Sequence, residues 1–309
     1  MTLTIAIVVS AECRSDFMKQ RIISGLVMGV VVTLVVALGI NISNVIINVF
    51  VAMVAALGVV ELVCNAIGIR NRIFKILTAA YTMIMVVILS SWLENVVRMA
   101  NIFKGNGAAV QIDFSEIYMP LVAAMITALY FVVCAVLILV KHTDFDIAKI
   151  VALCGMPLLL AFSFSTMSSI VASTGGIYYL LLVFNFSCIC DMGAYFVGVS
   201  IGKIKLCPEI SPKKTVEGAL GGIVSSVIAS LVITLCFGHF GKILPVMLLT
   251  IPLCAVGMVG DLFASIIKRK VGIKDYGNLI PGHGGILDRV DSILFISPLV
   301  YGFMLLGAI

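Results

Sequence analysis

The chain has 309 residues, of which 62% are hydrophobic and 11% charged, and its mean hydropathy is +1.23. Such values exclude a water-soluble globular domain. The net charge of +5 is small and gathered in loops, which speaks for phosphates and anionic lipid headgroups and against nucleic acid as a partner.

Met1 to Ser10 is apolar but too short to cross a bilayer, and Glu12 to Arg21 behind it is polar. A cleaved signal peptide would have a charged start and a small-residue cleavage site. Neither is present, so a short helix lying against the membrane is expected. Nine later segments are long enough to span, near 22–40, 45–64, 76–93, 119–140, 151–171, 177–199, 217–237, 243–264 and 288–308, since a core of about 30 Å needs about 20 residues. The expected fold is an all-α integral membrane protein of about nine transmembrane helices with cytoplasmic catalytic loops. Residues 1–309 form one polytopic domain, with a multi-span region at 22–171 and the chemistry at 177–309. Placing the N-terminus inside puts 17 of the 20 Lys and Arg residues on the cytoplasmic side. That bias supports nine alternating spans with the N-terminus cytoplasmic and the C-terminus outside.

The first half offers little chemistry. The connection from Glu94 to Tyr118 reads as an external structural loop. His142-Thr143-Asp144-Phe145-Asp146 has metal-ligating residue types but nothing polar that extends the cluster, so a solvated loop is expected. Nine cysteines fall mostly in apolar spans, as small hydrophobes do, and Cys188-x-Cys190 lacks the second pair of a metal site.

The second half differs. Asp191 lies inside a span, where an acid is costly and faces a polar cavity or a partner; Tyr195, four residues on, shares its face. The next loop carries Ser211-Pro212-Lys213-Lys214-Thr215, whose hydroxyls and ammonium groups suit a phosphate clamp. The plainer reading is a basic surface loop with Thr215 capping the next helix. Asp261, Ser265 and Lys268 then fall on one helical stripe. The polar stretch that follows runs Lys268-Arg269, Lys274-Asp275, Pro281-Gly282-His283-Gly284-Gly285 and Asp288-Arg289-Val290-Asp291. Its glycines allow backbone N–H groups to converge on an anion. Asp288 and Asp291 are about one turn apart, so their carboxylates face the same way. Gly221, Gly222 and Gly257 are expected to permit close helix packing and no more.

This stretch closely resembles the signature of the phosphatidate cytidylyltransferases (CDP-diacylglycerol synthases): a serine, Lys-Arg, Lys-Asp, His-Gly-Gly and Asp-Arg-x-Asp at fixed spacing, with no departure. The Asp191 helix and the Ser211–Thr215 loop resemble the same family, so the likeness covers roughly residues 185–292. It implies transfer of a cytidylyl group from CTP to phosphatidate, giving CDP-diacylglycerol and pyrophosphate. Asp261, Asp288 and Asp291 would hold Mg²⁺ and allow a second cation. Lys268, Arg269, Lys274, Asp275, His283 and Arg289 would be catalytic. Asp191, Tyr195, Ser211, Lys213, Lys214, Thr215, Ser265, Gly284 and Gly285 would bind substrate. The phosphatidate phosphate is already anionic, so His283 is expected to position substrate rather than take a proton. A bacterial inner (plasma) membrane is the expected location, and a homodimer is one option for assembly. Other CTP-dependent lipid enzymes, such as a CDP-archaeol synthase or a polyprenol kinase, use similar parts. A CDP-alcohol phosphotransferase would carry a longer run of aspartates. A transporter would spread its charges across the bilayer midplane; here they gather at one face.

Overall fold

The computed structural model describes residues 2–69, 71–101, 114–140 and 145–309, with the side chains at 2–19, 21, 101 and 114–117 aside. Among these residues, nine helices are long and apolar enough to cross a membrane. With the composition, this makes the chain a multi-pass membrane protein. The helices are α1 (Thr2–Asn41), α2 (Asn44–Glu61), α3 (Arg72–Asn101), α4 (Phe114–Val140), α5 (Ile147–Ala172), α6 (Gly176–Phe184), α7 (Cys190–Ile201), α8 (Val216–Cys236), α9 (Ile243–Val271) and α10 (Leu287–Leu306). Two five-residue π-helical segments interrupt the pattern: Leu62–Ala66 extends α2, and Asn185–Ile189 joins α6 to α7 into one span.

Several ends differ from expectation. The polar stretch from Glu12 to Arg21 does not end a short surface helix; the backbone runs as one helix through to Asn41. Helix α3 is helical from Arg72 to Asn101, so the external connection is shorter than the sequence suggests. The rest of that connection, 102–113, and the His142–Asp144 part of the acidic loop lie outside the described residues. Asp146 caps α5, accepting the Ile147 N–H at 2.7 Å. The basic loop is a hairpin, with β1 (Lys205–Cys207) antiparallel to β2 (Ser211–Thr215). Thr215 then caps α8 by accepting the Gly218 N–H at 3.1 Å, as the plainer reading expects.

Packing follows from small residues as well as large ones. Helix α7 lies along α8, α3 against α2 and α5, and α10 against α5 and α9. A Cβ at Gly222 would collide with the Cys190 carbonyl oxygen, so glycine there sets how closely α8 approaches α7. Buried Ser and Thr side chains bond to carbonyls of their own or neighbouring helices. Ser165 and Ser169 reach Val86 and Ser90 of α3, and Ser297 of α10 reaches Ser163 of α5. In hydrocarbon, where water offers no alternative partner, such bonds fix which helices meet.

Candidate active site

Two polar clusters meet at one end of the bundle. The first is a cavity of about 600 Å³ between the hairpin and the helices α7, α8 and α9. Its lining includes Asp191, Tyr195, Ser211, Lys213, Lys214, Thr215 and Asp261. Seven of the expected site residues, drawn from three separate segments, therefore share one space. Asp191 and Tyr195 both face it, as their four-residue spacing predicts. Lys214 forms an ion pair with Asp261, tying the hairpin to α9. Lys213 is exposed on the hairpin, and the Thr215 hydroxyl is taken up by its helix cap.

The second cluster is the loop between α9 and α10. Asp288, at the start of α10, accepts from Lys268 Nζ at 2.7 Å, from the Tyr276 N–H at 2.8 Å and from the Gly285 N–H at 3.1 Å. The Asp288 side chain is 2% exposed and that of Lys268 11%, so this is a buried, charge-assisted tether. The Tyr276 ring lies under Lys268 Nζ, 5.2 Å from ring centre to nitrogen, and its hydroxyl donates to the Ala264 carbonyl at 3.0 Å. Burial pushes the Tyr276 phenol well above its ordinary range, and Asp288 and Asp291 push it further, so it stays a neutral donor.

The glycine-rich turn does draw backbone N–H groups onto anions, but these are the protein's own carboxylates. Ile280 and Gly284 exchange backbone bonds of 2.9 and 3.1 Å across the turn, with Gly282 and Gly284 at φ of +77° and +89°. Gly285 donates to Asp288. The N–H groups of Ile286 and Leu287 both donate to Glu61 of α2, at 3.1 Å each. A Cβ at Gly285 would strike the Glu61 carboxylate, which makes glycine necessary there. The N–H groups of Gly284 and Gly285, expected to meet substrate, are therefore occupied. The fold needs them first.

Three residues outside the expected set hold this loop. Besides Glu61, Asn65 donates from the π-helical segment to the Tyr276 carbonyl, and Ser24 of α1 bonds His283 Nδ1 at 2.8 Å and the Pro281 carbonyl at 3.0 Å. A signal for Glu61 exists in the sequence, because the rule that marks Asp191, an acid inside a span, applies equally to it. Ser24 and Asn65 carry no such signal. Arg269, Lys274, Asp275 and Arg289 are exposed around the loop, and Ser265 is partly buried one turn beyond Asp261 on α9.

Asp291 connects the clusters. It interacts electrostatically with Asp261 and Asp191 on one side and with Lys268 on the other. Among the described residues no three His, Cys, Asp or Glu side chains close around a single point. The arrangement is instead an array of carboxylates interleaved with Lys214 and Lys268, beside a cavity large enough for a nucleotide's phosphates.

Comparison with known proteins agrees with this geometry. The chain is 50% identical over 111 residues to a phosphatidate cytidylyltransferase of Bacillus subtilis (strain 168), covering 36% of this chain and 41% of that protein. Identity to phosphatidate cytidylyltransferases of Staphylococcus epidermidis (strain RP62A) and Staphylococcus aureus (strain COL) is 46% over 125 residues and 45% over 126, covering 40% of this chain and 48% of theirs in both cases. The chain thus spans about half the length of the curated relatives it matches. The sequence model described as "Cytidylyltransferase family" matches residues 19–306, taking in both clusters and the helices that tether them. This chain belongs to the cytidylyltransferase family.

Proposed function

We propose that the protein transfers the cytidylyl group of CTP to phosphatidate, forming CDP-diacylglycerol and pyrophosphate. The observation that carries this reading is the Lys214–Asp261 ion pair, which joins the hairpin to the α9–α10 segment at one polar cavity. The relatives named above support the same reaction. The excess of basic residues on this face supports a cytoplasmic site, where CTP is available, with the N-terminus inside and a bacterial inner membrane as the location.

The chemistry is an in-line displacement. A phosphatidate oxygen forms a bond to the α-phosphorus of CTP as the bond to the β-phosphate oxygen breaks, and pyrophosphate leaves. Both substrates are anions, so cations must first offset their repulsion. Lys213, exposed at the hairpin, and Arg269, Lys274 and Arg289, exposed around the loop, would supply charge to the phosphates. The attacking oxygen is already deprotonated, so no general base is required. His283, bonded through Nδ1 to Ser24, would act by holding the loop and positioning substrate.

The donor set suits a hard divalent cation. Asp191, Asp261 and Asp291 are carboxylates near enough to interact electrostatically, interleaved with Lys214 and Lys268. Asp261 and Asp291 would hold Mg²⁺. Asp288 would join them by giving up one of its three donors. Bound there, Mg²⁺ would offset phosphate charge and polarise the α-phosphoryl group. The test is pyrophosphate release by purified protein. It should require CTP, Mg²⁺ and phosphatidate together; release of CDP instead, with diacylglycerol or a polyprenol as acceptor, would overturn the reading.

A further inference from the structure

A second large cavity adjoins the loop cluster on the side away from the polar cavity. It measures about 440 Å³ and runs between α1, α2, α5, α6 and α10. The space is open on one side rather than sealed, and an apolar groove of this size within a bilayer is filled by hydrocarbon. Almost all of its lining is apolar. Met28, Val32 and Val36 of α1 form one wall, at the spacing of a single helical face, and Ile293 of α10 lies among the residues opposite. Along α1 the lining runs from Val27 to Val36, about 14 Å at ~1.5 Å per residue. That is close to half of the roughly 30 Å hydrocarbon core, the depth of one leaflet.

The head of the cavity is not anonymous. Arg289 lines it, together with Ile280 and Ile286, which flank the Pro281–Gly285 turn. Arg289 is exposed and has no ion-pair partner among the described residues. Its neighbour Asp288 faces Lys268, and Asp291 interacts with Asp261 beside the polar cavity. The first turn of α10 therefore stands between an apolar slot one leaflet deep and the carboxylates, with a cation at the mouth of the slot. We infer that this slot holds an acyl chain of the phosphatidate substrate, with Arg289 receiving the lipid phosphate. This assignment rests on the reaction proposed above. Helix α1 is the outer wall of the slot: its span is little buried within the bundle, and Ser24 ties it to the active-site turn at the slot's head.

The experiment uses the full chain in lipid nanodiscs, with two readouts. In the first, Val36→Phe fills the deep end of the slot, and Val30→Phe makes the same change at a lipid-facing position of α1. Val36→Phe should lower kcat/KM for dioleoyl phosphatidate about tenfold, the loss of roughly two buried methylenes, and leave dihexanoyl phosphatidate within about twofold. Val30→Phe should leave both unchanged. Equal loss for both chain lengths, or equal effects of the two variants, overturns the assignment. In the second readout, phosphatidate bearing a diazirine near the end of one acyl chain is photolysed on the protein without CTP. Label should appear on 28–36 or 290–297 and be competed by phosphatidate but not by phosphatidylcholine. Equal competition would make the occupant a bulk lipid, absence of label from these segments would empty the slot, and a disulfide dimer formed by Val36→Cys would give it to a second copy; each overturns the inference. Labelling does not depend on turnover, so failure of the reaction and failure of the slot are read separately.

Discussion

Glu61 is the residue on which the placement of the active-site turn most depends, and its removal has a calculable effect. Its two carboxylate oxygens accept the N–H groups of Ile286 and Leu287, each at 3.1 Å, at the start of α10. Hydrogen bonds to a charged group contribute about 1.5–3 kcal/mol each. A carboxylate at a helix N-terminus adds roughly 0.3–1 kcal/mol through the helix dipole. Glu61→Ala should therefore loosen the turn locally by about 3–7 kcal/mol. Glu61→Gln keeps one acceptor oxygen and should cost about half as much. The consequence falls on α10, whose first turn carries Asp288, Arg289 and Asp291. A displacement of about 1 Å at reacting groups can cost about a hundredfold in rate, so kcat/KM should fall about a hundredfold in Glu61→Ala and about tenfold in Glu61→Gln.

Two measurements together test this. Pyrophosphate release gives the rate, and amide hydrogen exchange reports whether the turn has loosened. Exchange over 276–290 should accelerate in both variants, in the same order as their losses of rate, while α8 and the body of α9 stay protected. A role in general stability would instead speed exchange throughout the bundle. Wild-type turnover in Glu61→Ala with unchanged exchange over 276–290 would refute the reasoning.

Other outcomes follow from the same geometry. Asp288→Asn should abolish turnover and lower thermal stability, because the buried Lys268 ammonium loses its hydrogen-bonded carboxylate, at a cost of up to about 3–5 kcal/mol. Adding Lys268→Met should restore the melting temperature without restoring turnover; full activity of Asp288→Asn at ordinary Mg²⁺ would remove Asp288 from the site. Lys213→Ala should lower catalytic efficiency by roughly tenfold to a thousandfold, as expected for one charge-stabilising donor. Arg72→Ala, a cation outside both clusters, should have a small effect that fades with salt, and equal minor effects of the two would exclude the hairpin from catalysis. A cysteine at Asn106 should label from outside intact cells and one at Asn278 should not, and the reverse pattern would invert the topology.

What could be read in advance, and what could not, divides along physical lines. Spans are legible because hydrocarbon thickness imposes a length and a composition, and among the described residues nine such helices occur where nine are expected. The pairing of Asp191 with Tyr195 is legible because helical spacing is fixed. The two-stranded hairpin is not. Ser211-Pro212-Lys213-Lys214-Thr215 is polar, short and proline-bearing, and it becomes a strand only by pairing with Lys205–Cys207. The π-helical segment at Leu62–Ala66, which carries Asn65 toward the Tyr276 carbonyl, likewise leaves no mark in hydrophobic periodicity. The HGG turn is the instructive case. Its glycines suggest N–H groups gathered on an anion, and so they are, but the anions are Asp288 and Glu61. Sequence shows that donors can converge; only the fold shows which acceptor is waiting.

That distinction bears on how the two halves of the chain divide the work. The second half contains every residue of the recognisable motifs, and the first half looks like filler between loops. Yet Ser24, Glu61 and Asn65 come from the first half, and each bonds the loop between α9 and α10. A loop with this many charges gains little from burial and must be ordered by specific bonds, since fixing each residue costs about 1–2 kcal/mol of backbone entropy. Asp288 and Lys268 of the motif, with Tyr276 beside them, supply part of that order. The remainder comes from helices that carry no motif at all, so the first three helical segments act as the frame in which the site is held.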